Sequence, residues 1–183
     1  MISHNVSIRK MVHADYEIMA RWLSTPKVLE FYGDVDSPYT LDQVKAKYKP
    51  RVNGEVHVYP FIVELDTMPI GFMQYYKLAQ DIQAEFGYPS TLNVCGIDQF
   101  IGVPEYFNRG IGTTMVTKFT NTLFHLKDVD LIVLDPEISN TRAIRCYEKC
   151  GFKKVKKVHN ETCWLMELKA RNDLNGVSKD FMC

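Results

Sequence analysis

The sequence contains no CxxC pair, and its five cysteines, Cys95, Cys146, Cys150, Cys163 and Cys183, are an odd number. That argues against a disulfide scaffold and leaves reduced thiols of a cytosolic protein as the expectation. The five histidines share no ligand spacing, so no metal site is expected. No apolar run approaches the ~18 residues of a membrane span. The opening stretch, MISHNVSIRKMVHADYEIM, carries Lys10, Asp15 and Glu17 and no long apolar core, which does not read as a signal peptide. Repeats and low-complexity tracts are missing. Charge of one sign is missing too: Lys+Arg and Asp+Glu are both 22. Nucleic acid and anionic membranes are therefore disfavoured as partners. Monomer and dimer both stay open.

What is present is a globular composition, 46% hydrophobic and 24% charged over 183 residues. A chain of that length buries roughly 70% of its unfolded surface and needs no staple. We expect one domain over 1–170, with the polar stretch 171–183 as a flexible tail. Val6 to Val12 alternates as a strand, and Asp15 is placed to cap a helix with Ile18, Met19, Trp22 and Leu23 on its apolar face. A short helix is expected over Leu41–Tyr48. Strands Val58–Leu65 and Ile70–Leu78 flank a turn at Asp66-Thr67-Met68-Pro69, and Ala79 to Asn93 reads as a polar loop. Further strands are expected at Val94–Ile101, Leu131–Leu134, Lys153–Val158 and Thr162–Leu168, with helices from Gly110 to His125 and from Asn140 to Lys149. Leu131–Leu134 is wholly apolar, as in a strand covered on both faces. The order is β-α-α-β-β-β-α-β-α-β-β, a mixed α/β domain.

The strongest local signal is Asn108-Arg109-Gly110-Ile111-Gly112-Thr113, which follows a strand and opens a helix. Glycines there let backbone N–H groups converge on an anion, and the helix N-terminus adds partial positive charge. The segment is neither a Walker loop, for no Lys-Ser/Thr follows, nor a complete GxGxxG fingerprint. Tight strand–helix packing would also account for the glycines. Further on, Asn140, Ala143 and Tyr147 share one helix face ahead of Gly151-Phe152. Taken singly, Asn140 reads as an N-cap and Tyr147 as a core aromatic.

Together the two segments resemble the GCN5-related N-acetyltransferase superfamily over nearly the whole chain, including the hairpin around Met68-Pro69-Ile70-Gly71-Phe72. The resemblance implies the GNAT fold: a mixed sheet flanked by helices, splayed to admit the pantetheine arm of acetyl-CoA. Arg109, Gly110, Ile111, Gly112 and Thr113 would hold the pyrophosphate, and Asn140 and Tyr147 would line the thioester end. Phe107 departs from the family, which often has Gln or Arg there. Val28-Leu-Glu-Phe-Tyr32-Gly33, Gly96-Ile-Asp98-Gln99-Phe100, Leu134-Asp135-Pro136 and Arg142-Ala-Ile-Arg-Cys-Tyr147 are similar, more narrowly, to the aminoglycoside 6'-N-acetyltransferases.

That similarity gives the acids a purpose. Aminoglycosides are polycations, and a neutral protein binds one by concentrating carboxylates in a cleft. Asp98 sits inside an apolar strand, where a carboxylate needs a partner or a task. Asp135 closes a strand at its C-terminal end, where α/β ligand sites lie; capping the following turn is the plainer account. Glu85 is a third acid, equally readable as solvated. Tyr32 could stack on a sugar or sit in the core. The run Lys153-Lys154-Val155-Lys156-Lys157 reads as a charged edge strand. The implied activity is direct transfer of acetyl to the 6'-amine, conferring antibiotic resistance in the bacterial cytoplasm. Asp98 would be the base, a backbone N–H near Phe100 or Ile101 would polarise the carbonyl, and Tyr147 would be the acid. The alternatives are a GNAT enzyme acting on a protein N-terminus, a polyamine or another small amine, and a silent acyl-CoA-binding domain.

Overall fold

In the computed structural model, residues 5–126 and 128–170 are described; the expected tail, 171–183, lies outside the described residues. Seven strands form one sheet in the order β1-β2-β3-β4-β5-β7-β6. The N-terminal half is an antiparallel run of β1 (Val6–Lys10), β2 (Val58–Leu65), β3 (Met68–Lys77) and β4 (Val94–Ile101). β4 then pairs in parallel with β5 (Leu131–Leu134), whose other neighbour is the antiparallel hairpin of β7 (Cys163–Lys169) and β6 (Lys153–Val158). All four residues of β5 are buried, as its uninterrupted apolar run requires. The lysine-rich β6 takes the sheet edge, where charge opposes edge-to-edge association.

Period-two alternation sends each strand's apolar residues to opposite faces. Ile62, Phe72 and Phe100 pack beneath α1 (Tyr16–Trp22), α2 (Pro26–Leu29) and α3 (Leu41–Val52). Val63, Met73 and Ile97 pack on the other face, against α5 (Ile111–Leu126). α6 (Thr141–Lys149) lies beside α5 and contributes the buried Ile144 to the same cluster. Each such fully buried side chain contributes about 1.5–3 kcal/mol.

Three local expectations change. Asp15 does not cap α1. Its carboxylate accepts two bonds from the Arg9 guanidinium, both 2.8 Å, and one from the Val12 N–H, so it ties β1 to the following turn. The turn between β2 and β3 shrinks to Asp66 and Thr67, both at positive φ as a two-residue hairpin needs, and Met68 and Pro69 join the strand. The polar loop over Ala79 to Asn93 contains the helix α4 (Gln80–Phe86), ended by Gly87 at φ +88 and braced by Gln83 Nε2 donating to the Pro89 carbonyl, 2.6 Å. Seven residues are too few for periodicity to announce a helix. Among the described residues no helix is long and apolar enough to cross a membrane.

Candidate active site

The site begins with a broken pairing. β4 and β5 are joined only through Val94↔Leu131, Cys95↔Ile132 and Gly96↔Val133. β4 continues to Ile101, while β5 ends at Leu134. The two strands part, and the edge of β4 facing the gap is freed. Antiparallel pairs alternate in the direction of their amides. Gly102 N–H donates to the Ile70 carbonyl across the register Phe72↔Phe100. The amide of Phe100 is therefore spent on β3, and those of Gln99 and Ile101 face the gap. Of the two strand positions expected to polarise a carbonyl, only Ile101 has its N–H on the right side.

A cavity of about 570 Å3 runs from this gap to the start of α5. Asn108 at φ +60 and Gly110 at φ +79 turn the chain into the helix. The first-turn N–H groups of a 16-residue helix are left without intrahelical partners and face the cavity end. A Cβ on Gly112 would lie 3.3 Å from Cys146 Sγ, so that wall is closed to larger residues without movement. Arg142, Arg145 and Lys149 of α6 line the same space and add positive charge. Helix dipole, cations and a free strand edge together suit a phosphate-bearing molecule with an amide-bearing arm.

Not every expected residue takes part. Phe100, Ile101, Gly110, Gly112 and Thr113 line this cavity. Ile111 is not among its lining residues: its side chain is in the core, and it borders a smaller cavity beside Val6 and Leu65. The exposed Arg109 lies over the Tyr106 ring, 5.8 Å to the centroid, and borders that smaller cavity too. Asn140 caps α6, its Oδ1 accepting from the Ala143 N–H at 3.1 Å, and it borders the acceptor side as well as a small cavity shared with Phe100, Ile101 and Tyr147. Cys146, given no task by the sequence, lines the cavity with its Sγ 3.6 Å from Thr113 Oγ1.

A second cavity, about 500 Å3, opens on the other side of the gap. Glu30, Asp98, Asp135 and Glu137 line it, and among the described residues no lysine or arginine does. Glu30 and Glu137 were not singled out from the sequence, although Glu30 stands within Val28-Leu-Glu-Phe-Tyr32. Glu85 is exposed on α4 and is not among the lining residues, so it leaves the set; its carbonyl accepts from Lys156 Nζ, 3.0 Å. Tyr32 lines the cavity, but one face of its ring packs on Phe100, 4.6 Å between centroids. It is wall as much as platform.

Asp98 is held by a relay. Gln74 Nε2 donates to Asp98 Oδ2 at 2.6 Å, and Arg51 Nη1 donates to Gln74 Oε1 at 2.7 Å. Burial pushes the Asp98 carboxyl above its ordinary range; the Gln74 hydrogen bond opposes this and the nearby Asp135 charge adds to it. A carboxylate so raised is a stronger base. The Tyr76 ring reaches Asp98 by lying where a Cβ on Gly96 would be, 2.5 Å away, which explains glycine at that position. Asp135 Oδ2 pairs with His159 Nε2 at 2.6 Å, a partner 24 residues distant and invisible to sequence spacing. Tyr147 lies in the wall that the two cavities share, accepting from Gln99 Nε2 at 2.6 Å. Burial outweighs that bond and keeps its phenol protonated well beyond the ordinary range.

A cavity suited to an anion and a carboxylate-lined cavity meet at the Tyr147 phenol, an arrangement that fits a group-transfer enzyme. Residues 11–160 match the acetyltransferase (GNAT) domain, and the chain belongs to that family, in the branch of the aminoglycoside 6'-N-acetyltransferases. It is 33% identical over 150 residues to aminoglycoside N(6')-acetyltransferase type 1 of Klebsiella pneumoniae, covering 82% of this chain and 75% of the relative. The structure of AAC(6')-Ib in complex with ribostamycin and coenzyme A superposes with a TM-score of 0.78 at 29% identity, over 96% of this chain and 99% of that one. The same enzyme with paromomycin and acetyl-CoA gives 0.77 at 29% identity, over 96% and 99%.

Proposed function

We propose that the chain transfers the acetyl group of acetyl-CoA to the 6'-amine of aminoglycoside antibiotics, acting in the bacterial cytoplasm and conferring resistance. The observation that carries this reading is the cavity lined by four carboxylates and, among the described residues, by no lysine or arginine, abutting the cavity that ends at the start of α5. A polycation fits the first and a nucleotide thioester the second. When bound, acetyl-CoA supplies an acyl group activated as a thioester. Gly110, Gly112, Thr113 and the start of α5 hold its pyrophosphate, and the freed edge of β4 aligns its arm. Asp98 accepts a proton from the 6'-ammonium, which is not a nucleophile until it loses one. The Ile101 N–H holds the carbonyl oxygen as charge develops there. Tyr147 donates a hydrogen bond to the departing sulfur. Glu30, Asp135 and Glu137 grip other ammonium groups. Loss of one positive charge from the drug weakens its hold on ribosomal RNA.

Thiol release with kanamycin, with spermine and with an aminoglycoside bearing a 6'-hydroxyl tests the reading. We expect rapid turnover of kanamycin, poor turnover of spermine, and competitive inhibition without turnover by the 6'-hydroxyl drug. Spermine as the better substrate would move the enzyme to the polyamine class. The acceptor grip is tested separately. Asp135→Asn is expected to raise KM for the drug about tenfold or more, the worth of one charge-assisted bond, and to leave KM for acetyl-CoA little changed. Equal effects on both substrates would reduce Asp135 to a partner of His159.

A further inference from the structure

Among the described residues Cys95, Cys146, Cys150 and Cys163 are free thiols, and of these only Cys146 lines a cavity of the site. Cys146 is half-buried, with its sulfur set against the first turn of α5. A Cβ on Gly112 would lie 3.3 Å from it, and Thr113 Oγ1 is 3.6 Å away. The amides of that turn carry the positive end of a 16-residue helix. On α6, Arg142 stands one turn before Cys146 and Lys149 one turn after, and both line the same cavity with Arg145. Among the described residues no carboxylate lines it. Cys150, four residues on, sets its Sγ 3.6 Å from the Thr113 carbonyl, and its S–H can turn to the Cys146 sulfur.

Thiols beside cations and helix N-termini ionise easily, and the thiolate is the reactive form. The Cys150 and Thr113 hydrogen bonds, with the charges of Lys149 and Arg142, hold the Cys146 thiol below its ordinary range; burial opposes them. Acetyl transfer takes its nucleophile from the amine and leaves this one unused. The surroundings that suit a pyrophosphate have therefore also activated a sulfur beside it.

We propose that Cys146 is a thiol–disulfide exchange site for small disulfides bearing anionic groups, of the glutathione disulfide kind, and that its adduct closes the acetyl-CoA cavity. The inference rests on the reading of that cavity as the donor site. The Cys146 thiolate attacks one sulfur of the disulfide. The Cys146–sulfur bond forms as the old sulfur–sulfur bond breaks, and the second half leaves as a thiolate that takes a proton from water. There is no net oxidation, and a second thiol reverses the step. The positive charge that draws acetyl-CoA also draws the anionic disulfide, so donor and modifier compete for one place.

The test treats the full-length protein with glutathione disulfide at neutral pH, without amine, and maps the adducts by mass. Trypsin cuts after Arg145 and Lys149, so Cys146 and Cys150 fall in separate peptides. Cys146 is expected to react about tenfold or more faster than Cys150 or Cys163, as a thiol of lowered pKa does. Acetyl-CoA, which has no free thiol, is expected to slow that reaction about tenfold when present at about ten times its Kd. Activity should fall in step with Cys146 occupancy and return with dithiothreitol, while Cys146→Ala keeps its own starting activity under the same treatment. An adduct spread evenly over the cysteines, a Cys146 adduct that leaves acetyl-CoA binding intact, or inactivation only with loss of the cooperative thermal melt would each overturn the proposal. Acetyl-CoA that binds the untreated protein and does not slow the Cys146 reaction sinks this inference alone. Acetyl-CoA that does not bind the untreated protein sinks the donor-site reading, and this inference with it.

Discussion

Asp98→Asn is expected to reduce kcat for a good aminoglycoside by ~10²–10⁴, the usual span for losing a general base. The substitution is nearly isosteric, and Gln74 can still donate to the remaining oxygen, so the strand and its neighbours stay in place. What disappears is a carboxylate that burial and the Asp135 charge hold above the ordinary range. In wild type the acid limb of kcat/KM should lie above the usual carboxylate range, with activity rising as pH climbs through the Asp98 pKa. In Asp98→Asn only amine already deprotonated in solution reacts, so rate should climb with pH over the whole accessible interval and recover in part at high pH. The sign of one cross-effect follows. Asp135→Asn removes a like charge from beside Asp98, which lowers the Asp98 pKa, so the acid limb should move toward lower pH. Full kcat–pH profiles of the three proteins check this. A flat loss at every pH, with KM for the drug sharply raised, would make Asp98 an ammonium anchor and pass the base role to a water chain or another carboxylate.

The parts of this site readable in the sequence are those built from contiguous residues. The glycine turn, the strand Gly96 to Phe100 and the Asn140-to-Tyr147 face each carry their meaning in local spacing, and each reached the gap between β4 and β5. The misreadings have a common cause in distance along the chain. Nothing near Asp98 announces that Gln74 and Arg51 will brace it, because the register Gln74↔Asp98 is a property of the β3–β4 pairing. The His159 partner of Asp135 arrives from the far side of β6. Glu85 looked like a member of the acidic set on composition alone; α4 turns it to solvent. Arg109 shows the same limit at close range, since a cation inside the glycine turn need not point where the turn's amides point. The direction of the Phe100 and Ile101 amides is fixed by strand alternation, which sequence can supply once one ladder bond is known and not before.

Gly112→Asp is expected to weaken acetyl-CoA at least ~10-fold, about 1.4 kcal/mol, since a unit charge ~4 Å from a phosphate at an effective dielectric near 20 costs up to ~4 kcal/mol. The fold should tolerate it. The position lies in the first turn of α5, where a carboxylate complements the helix dipole. The nearest obstacle to the new Cβ is Cys146 Sγ at 3.3 Å, a side-chain atom that can give by a few tenths of an ångström. The same properties that make the mutation benign for the helix make it harmful for the ligand: the added carboxylate takes up the amides and the positive potential that the pyrophosphate needs. Gly112→Ala separates the two contributions. It adds the Cβ and no charge, so it should lose only a small part of what Gly112→Asp loses, and Cys146→Ala should return that part by clearing the contact. Calorimetric titration of acetyl-CoA into the three variants, with thermal melts to verify folding, measures the series. A folded Gly112→Asp with undiminished affinity would place the pyrophosphate elsewhere, and the cationic face of Arg142, Arg145 and Lys149 on α6 would be the next place to look.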